Sequence, residues 1–136
     1  MFTLLRQLTL CTILAAPLLS FAESNNLTVE DLDKPIVVQP GQTTIHLPIK
    51  TNRTTGYKWY LESYDSNFIH PVSSSYEAAS SNLIGAPGVT NWKFKVLETA
   101  FCVPTVTKIT LRHARTWDKD HGEKKVIWIF TDTTSK

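Results

Sequence analysis

The sequence has few cysteines and no large excess of positive or of negative charge. It has two cysteines in 136 residues, and Cys11 lies in an N-terminal apolar run. Only Cys102 is left for the folded domain, so we expect no internal disulfide and a partly buried, unreactive thiol. The 14 Lys and Arg residues nearly balance the 12 Asp and Glu residues, which excludes the basic footprint of a nucleic-acid-binding protein. The sequence also lacks a nucleophile elbow and a paired-carboxylate motif, so we expect neither an enzyme nor a cofactor.

Long apolar runs are also scarce, and the one present, Leu8 to Leu19, is typical of a signal peptide. Arg6 precedes this run, and Ser20-Phe21-Ala22 ends it with small residues at the cleavage positions. A membrane span needs about 20 apolar residues, more than this run offers. We predict a signal peptide at residues 1–22 and a single domain at 23–136. The protein would then be secreted or periplasmic, and free of the membrane after cleavage.

Alternation of apolar and polar residues with a period of two dominates the rest of the chain, as in half-buried strands. Together with the turn residues between its segments, it predicts about seven strands: Pro35–Gln39, Thr43–Lys50, Tyr57–Tyr64, Phe68–Val72, Trp92–Val96, Thr105–His113 and Lys124–Asp132. We expect Ser73–Asn82, which is rich in Ser and Ala, to be a surface loop. The pattern favours an all-β fold, an immunoglobulin-like β-sandwich without a disulfide.

Three narrower expectations concern packing. Pro48 cannot donate a ladder hydrogen bond, which predicts an edge position or a bulge. Trp59 is our candidate for the central aromatic of the core. The segment Lys124–Asp132 is apolar on both faces, as in a strand that is covered on two sides.

Three alternate connections of this strand pattern carry unusual residues. Because antiparallel strands alternate in direction, we expect these connections to emerge at one end of the fold. The first covers residues 52–57, where Asn52 and Gly56 are turn residues. Between them, Thr54 and Thr55 are β-branched, stiff and able to form hydrogen bonds. Such a loop suits a rigid projection, although a plain connection between two strands would have the same composition.

The second connection, residues 84–90, has glycines around Ala86-Pro87, which allow close approach of the backbone to a partner. The third, residues 114–120, contains Trp117 within the polar stretch Arg112–Lys125. We expect this tryptophan to be exposed at an interface. The alternative is a tryptophan that folds back over the end of the sandwich.

In order and spacing these loops resemble those of chagasin-type inhibitors of papain-like cysteine proteases. The family motifs read Asn-Pro-Thr-Thr-Gly followed by an aromatic residue, then Gly-x-Gly-Gly, then Arg-Pro-Trp. The matching segments here are Asn52-Arg53-Thr54-Thr55-Gly56-Tyr57, Gly85-Ala86-Pro87-Gly88 and Arg115-Thr116-Trp117. The resemblance implies an inhibitor domain that blocks the protease cleft reversibly with these protease-binding residues.

The resemblance also implies a role for each loop. Thr54 would lie nearest the catalytic Cys/His pair, and the residues after it would turn the chain away. Trp117 would pack on the primed side of the cleft, with polar contacts from Arg115 beside it. The segment Gly85 to Gly88 would lie along the opposite stretch of the cleft.

Three residues depart from the family motifs. Arg53 and Thr116 stand in place of prolines, and proline at a compatible turn position stabilises by about 0.4–1 kcal/mol, so both changes predict looser loops. Pro87 stands in place of a glycine and cannot adopt a positive φ, which predicts a changed second loop. Arg53 also offers a charge contact to an acidic cleft wall. We expect inhibition to be retained with a shifted target preference.

The expected partners are papain-like or cathepsin L-like proteases, bound by a monomer. One alternative is an exported adhesin or carbohydrate-binding module that uses the same loops, with Trp117 stacking on a sugar. Another is a metal site in which His113 and His121 join Asp118 or Asp120. Their spacing matches no familiar ligand pattern, so we expect no metal.

Overall fold

The computed structural model describes residues 25–81 and 83–133, except for the side chain of Lys119. The signal peptide predicted at residues 1–22 lies outside these residues. The described chain forms eight strands, listed in chain order: β1 Asn26–Thr28, β2 Ile36–Val38, β3 Thr44–Thr51, β4 Tyr57–Tyr64, β5 Ile69–Glu77, β6 Gly88–Val96, β7 Thr105–Arg115 and β8 Asp118–Thr131. Two short 3₁₀ turns, Arg53–Thr55 and Glu98–Phe101, complete it. No helix among the described residues is long and apolar enough to cross a membrane.

The strands form two four-stranded sheets, ordered β1-β3-β6-β5 and β2-β8-β7-β4. Pairing is antiparallel except for β1 with β3 and β2 with β8, which are parallel. The predicted all-β sandwich is confirmed, and the short strand β1 was not predicted.

Cys102 is free, as expected, but its side chain is exposed, so the expectation of a partly buried thiol was wrong.

The core lies between the two sheets and follows the period-two pattern of the sequence. It is built from inward residues on six of the strands: Ile36, Val38, Ile45, Leu47, Ile49, Ile69, Phe94, Val96, Ile109, Leu111, Ile127 and Ile129. Each fully buried side chain of this kind stabilises the fold by about 1.5–3 kcal/mol. Phe94 is the largest of the fully buried side chains, whereas Trp59 is only partly buried against the cluster. The expectation that Trp59 is the central aromatic was therefore wrong.

Two segments that we expected to be loops are strands. β5 continues to Glu77, so Ser73–Glu77 pairs with β6 instead of forming a surface loop. The segment between the predicted strands, residues 114–123, also belongs to the β7–β8 hairpin except for its turn, Thr116-Trp117. In both cases the strand continues through backbone hydrogen bonds to a neighbouring strand although its own residues are mostly polar and exposed.

The outer face of β8 was also predicted incorrectly. Ile127 and Ile129 are buried, but the alternate residues Val126, Trp128 and Phe130 are 41%, 47% and 38% exposed. β8 is therefore covered on one face among the described residues, and not on two.

Pro48 lies on β3, which is not an edge strand because β1 and β6 flank it, but Pro48 itself has no partner on the β1 side. The parallel pairing of β1 with β3 ends at Thr28 and His46. Thr44 donates its N–H to Asn25 on that side, and Pro48, which has the same orientation, lies beyond the end of β1. Its missing N–H thus removes no ladder hydrogen bond.

Candidate functional site

Three connections lie together at one end of the sandwich, as predicted from strand alternation. We name them L1 (residues 52–56), L2 (the described residues 78–81 and 83–87) and L3 (116–117), and together they form the loop edge. In one sheet, Thr51 at the end of β3 pairs with Gly88 at the start of β6. In the other sheet, Tyr57, Arg115 and Asp118 are paired side by side. L1 joins the two sheets, and L2 and L3 close a hairpin in each.

L1 is a 3₁₀ turn held by its own hydrogen bonds. Asn52 Oδ1 accepts from the backbone N–H of Thr54 at 3.1 Å and from its hydroxyl at 2.6 Å. The hydroxyl of Thr55 donates to the carbonyl of Asn52 at 2.8 Å, and the N–H of Gly56 donates to the carbonyl of Arg53 at 3.1 Å. Both threonine hydroxyl protons are therefore used inside the loop, which makes L1 a self-supporting turn with exposed residues Arg53, Thr54 and Thr55.

Gly56 ends this turn in the left-handed region, with φ of 78°. A Cβ at residue 56 would stand 3.1 Å from Cη2 of Trp117, so the tryptophan of L3 lies against L1. The rest of the ring is open to solvent, since Trp117 is 74% exposed. The predicted exposure of Trp117 is confirmed, and the alternative in which it folds back over the sandwich is not.

A stack of rings and one guanidinium leads from the core to L3. Trp59 and His113 are 4.6 Å apart between ring centroids, and His113 and Tyr57 are 5.1 Å apart. The guanidinium of Arg115 lies 4.8 Å from the centroid of Tyr57 and 5.8 Å from that of Trp117. The four residues of this stack on β4 and β7 continue the face that carries the buried Leu111, since Tyr57 pairs with Arg115, Trp59 with His113 and Leu61 with Leu111. The core face of this sheet therefore continues up to L3.

The base of the L3 hairpin is held by ion pairs. Glu62 on β4 accepts from Arg112 at 2.6 Å and pairs with Lys124 at 2.9 Å. Arg112 also donates to the carbonyl of Asp120 at 2.9 Å. The hydrogen bonds from Arg112 and then Lys124 lower the pKa of Glu62 to about 2. The hairpin that carries Trp117 is thus tied to the neighbouring strand below its turn.

The histidines proposed as alternative metal ligands have separate partners. His113 lies within the ring stack, whereas His121 Nδ1 is 2.6 Å from Oδ1 of Asp118. That hydrogen bond raises the pKa of His121. Across residues 25–81 and 83–133, no group of three potential ligands is placed to hold a metal ion.

L2 carries an apolar turn, Leu83–Ala86, of which the predicted second connection included all but Leu83. The N–H of Ala86 donates to the carbonyl of Leu83 at 3.2 Å, and Gly85 has φ of 83°, as a type II turn requires. The positive φ thus falls on Gly85 and not on Pro87, so proline is compatible here. Leu83 and Ile84 are strongly exposed at this turn. The only signal in the sequence is an apolar pair directly before a glycine.

L2 also contacts L1. Asn52 Nδ2 donates to the carbonyl of Gly85 at 3.5 Å. Gly88, predicted to bind the protease, lies buried at the start of β6, below the exposed surface. A Cβ there would stand 2.4 Å from the hydroxyl oxygen of Tyr76, and the guanidinium of Arg53 lies 4.0 Å from the centroid of that tyrosine ring. Sequence reasoning missed Tyr76, whose only signal is that it is aromatic within a stretch of Ser and Ala.

The two residues that stand in place of family prolines have contacts of their own. Arg53 stacks on Tyr76, and the hydroxyl of Thr116 is 2.9 Å from that of Tyr60. The structure thus provides side-chain contacts at both positions where the missing prolines predicted looser loops.

This architecture is that of an immunoglobulin-like β-sandwich with one loop-bearing end. The model of the chagasin family of peptidase inhibitors matches residues 37–131, which include all three loops. The chain belongs to this family, and it is an inhibitor of papain-like cysteine proteases and not an enzyme.

Solved structures agree with this fold. A cysteine protease inhibitor of Entamoeba histolytica is 19% identical, with a TM-score of 0.58 over 78% of this chain and 92% of that chain. Amebosin, also 19% identical, has a TM-score of 0.55 over 78% of this chain and 95% of that chain. The comparison with curated proteins gives no match.

Proposed function

We propose that the loop edge enters the active-site cleft of a papain-like cysteine protease and blocks it reversibly, with L1 nearest the catalytic residues. The observation that carries this proposal is the contact of L1 with both neighbours, through Asn52 to Gly85 and through Gly56 to Trp117. Three loops already held together lose little conformational freedom on docking. They present L1 between exposed apolar side chains, Leu83 and Ile84 on one side and Trp117 on the other, an arrangement that suits a long cleft.

L1 is suited to fill the cleft without being cut. Papain-like proteases attack a substrate carbonyl with a thiolate, and the substrate lies extended in the cleft. Residues Arg53–Thr55 are instead a 3₁₀ turn closed by Asn52 and Gly56. A carbonyl in this turn is not presented to the thiolate as an extended peptide presents it. L1 therefore excludes the substrate from the cleft and is not itself cleaved. Thr54, the middle residue of the turn, is the residue we place nearest the catalytic pair.

L2 and L3 supply the contacts with the two walls of the protease cleft. Trp117 is a large exposed ring held at one edge by Gly56, and Leu83 with Ile84 offers a second apolar anchor on the other side of L1. Buried aromatic and arginine side chains dominate the binding energy of most interfaces, so we assign Trp117 and Arg115 the larger share. The resulting interface belongs to the standard protease–inhibitor class, about 800 Å² per partner.

We further propose that the protein acts after export, as a monomer. The support for export is the signal-peptide pattern of residues 1–22. Mass measurement of the protein recovered from the exported fraction tests it, with a mature N-terminus near Glu23 expected. Recovery of the uncleaved chain in the cell would contradict export and leave the inhibition proposal untouched.

The test of inhibition is a titration of active papain and of a cathepsin L-like enzyme, followed with a fluorogenic peptide. We expect stoichiometric loss of activity at enzyme concentrations above the inhibition constant, with the inhibitor recovered uncut. Full activity of both enzymes would contradict the proposal and favour the adhesin or carbohydrate-binding alternative.

A further inference from the structure

Tyr76 occupies a fixed place beside L1 although it belongs to a different strand. It lies on β5 and pairs with Thr90 of β6. An added Cβ at Gly88 would come within 2.4 Å of the tyrosine hydroxyl oxygen and 2.6 Å of the ring carbon that bears it. The ring therefore lies directly on the backbone of Gly88, at the only kind of residue that leaves room for it.

Arg53 reaches this ring across β6. The strand order in this sheet is β3-β6-β5, so L1, which leaves β3, and Tyr76, on β5, stand on opposite sides of Gly88. The guanidinium carbon of Arg53 lies 4.0 Å from the ring centroid, within the range of a cation–π contact. Arg53 is also the first residue of the 3₁₀ turn, so the contact acts on the start of L1.

The internal hydrogen bonds of L1 fix its shape but not its direction relative to the sheets. L1 contains no proline and no cysteine. Besides the paired residues that flank it, Thr51 and Tyr57, its direction depends on contacts that leave the turn. These are Gly56 with Trp117 on one side, and Asn52 with Gly85 and Arg53 with Tyr76 on the other. The hydrogen bond from Asn52 to Gly85 is long at 3.5 Å. The contact of Arg53 with Tyr76 is therefore the stronger of the two contacts on that side of L1.

We propose that Tyr76 is a positioning residue that sets the direction of L1 through Arg53, and so prepares Thr54 for the protease cleft. This role rests on the proposed inhibition. The ring face, and not the hydroxyl group, provides the function. Arg53 holds L1 in position through its contact with Tyr76, in addition to any contact that it makes with the protease.

Tryptic cleavage after Arg53 tests the loop directly, without any cysteine protease. Because a protease binds its substrate extended and Arg53–Thr55 is a closed 3₁₀ turn, we expect trypsin to cut the Arg53–Thr54 bond only when L1 opens. We expect Tyr76→Leu to raise the rate of this cleavage about two- to fivefold, the range that corresponds to an exposed cation–π contact. Tyr76→Phe should cut at the wild-type rate, as should Tyr64→Leu, an exposed tyrosine outside the loop edge. An unchanged rate in Tyr76→Leu, or a rate in Tyr76→Phe as high as in Tyr76→Leu, would overturn the proposal.

A double-mutant cycle on papain inhibition tests the consequence. Tyr76→Leu and Arg53→Gln should each raise the inhibition constant about two- to fivefold, and the double variant should lose no more than Arg53→Gln alone. Arg53 is exposed in L1, so we expect Arg53→Gln to fold normally. It therefore measures the effect of losing the contact with Tyr76 even if Tyr76→Leu folds poorly. Fully additive losses would overturn the proposal. If the wild-type protein does not inhibit, the proposed function fails, whereas the tryptic measurement still decides the role of Tyr76.

Discussion

The indole of Trp117 rests on Gly56, so close that a Cβ at residue 56 would stand 3.1 Å from Cη2 of the ring. This contact joins L1 and L3, which are 61 positions apart in the chain by residue number, 117 minus 56. Gly56 also has φ of 78°. One glycine thus ends the turn that we place in the cleft and supports the tryptophan that we place on its wall.

Replacement of Gly56 by alanine tests both properties. We expect Gly56→Ala to lower the free energy of unfolding by about 1–2 kcal/mol, because a side chain is strained in the left-handed region. It should also weaken inhibition, because Trp117 must move. Gly41→Ala is the matched control, since Gly41 has φ of 93° but nothing within 4 Å of an added Cβ. Urea unfolding should show similar losses for both variants, and only Gly56→Ala should raise the inhibition constant. An equal effect of both variants on inhibition would contradict the assignment.

Trp117 should be an energetic anchor of the interface. Removal of its ring by Trp117→Ala is expected to cost about 2 kcal/mol of binding, or roughly a thirtyfold rise in the inhibition constant. Trp128→Ala is the control, because Trp128 is also an exposed tryptophan but lies on the outer face of β8. Inhibition constants for papain measure the difference. A loss in Trp128→Ala equal to that in Trp117→Ala would move the interface away from the loop edge.

A charge at residue 54 should abolish tight inhibition. In Thr54→Asp the hydroxyl that donates to Asn52 Oδ1 is lost, and a carboxylate enters the buried centre of the interface. An unpaired charge there costs about 2–5 kcal/mol. Ser66→Asp introduces the same charge at an exposed position in the β4–β5 connection, at the other end of the sandwich. We expect it to inhibit as the wild type does. Undiminished inhibition by Thr54→Asp would remove Thr54 from the centre of the site.

The ion pairs of Glu62 predict how stability depends on pH. Its pKa falls from 4.5 to about 2 on folding, so below pH 4.5 the unfolded chain takes up a proton before the folded chain does. The contribution of Glu62 to stability is complete above pH 4.5 and is lost as the pH falls towards 2. Thermal unfolding should show Glu62→Gln less stable than wild type at pH 7, with a difference that shrinks across this range. A difference that stays constant down to pH 2 would contradict the role of these ion pairs.

The sequence predicted the sandwich and the shared end of the loops because both depend on the period-two burial pattern. Ile45, Leu47 and Ile49 show this pattern clearly, and each is buried. The same rule failed where a strand is made mostly of polar residues. Ser73–Glu77 and the tip of the β7–β8 hairpin have no apolar face, and their pairing depends on backbone hydrogen bonds that every residue type can make.

The contacts within the site could not be predicted for a different reason. Arg53 and Tyr76 meet only because β6 lies between β3 and β5 and carries a glycine at its first residue. The partners of Glu62 likewise come from two strands distant in sequence. Such pairs depend on strand order and register, which one sequence without its structure does not specify.

The most direct measurement of the central claim is binding to papain whose cleft is already filled. Immobilised papain would be presented to the protein with and without a saturating peptide aldehyde, which occupies the catalytic cysteine and the cleft beside it. If L1 enters the cleft, the peptide should prevent binding, and binding should return when the peptide is washed away. Equal binding to open and filled papain would place the interface outside the cleft and contradict the account.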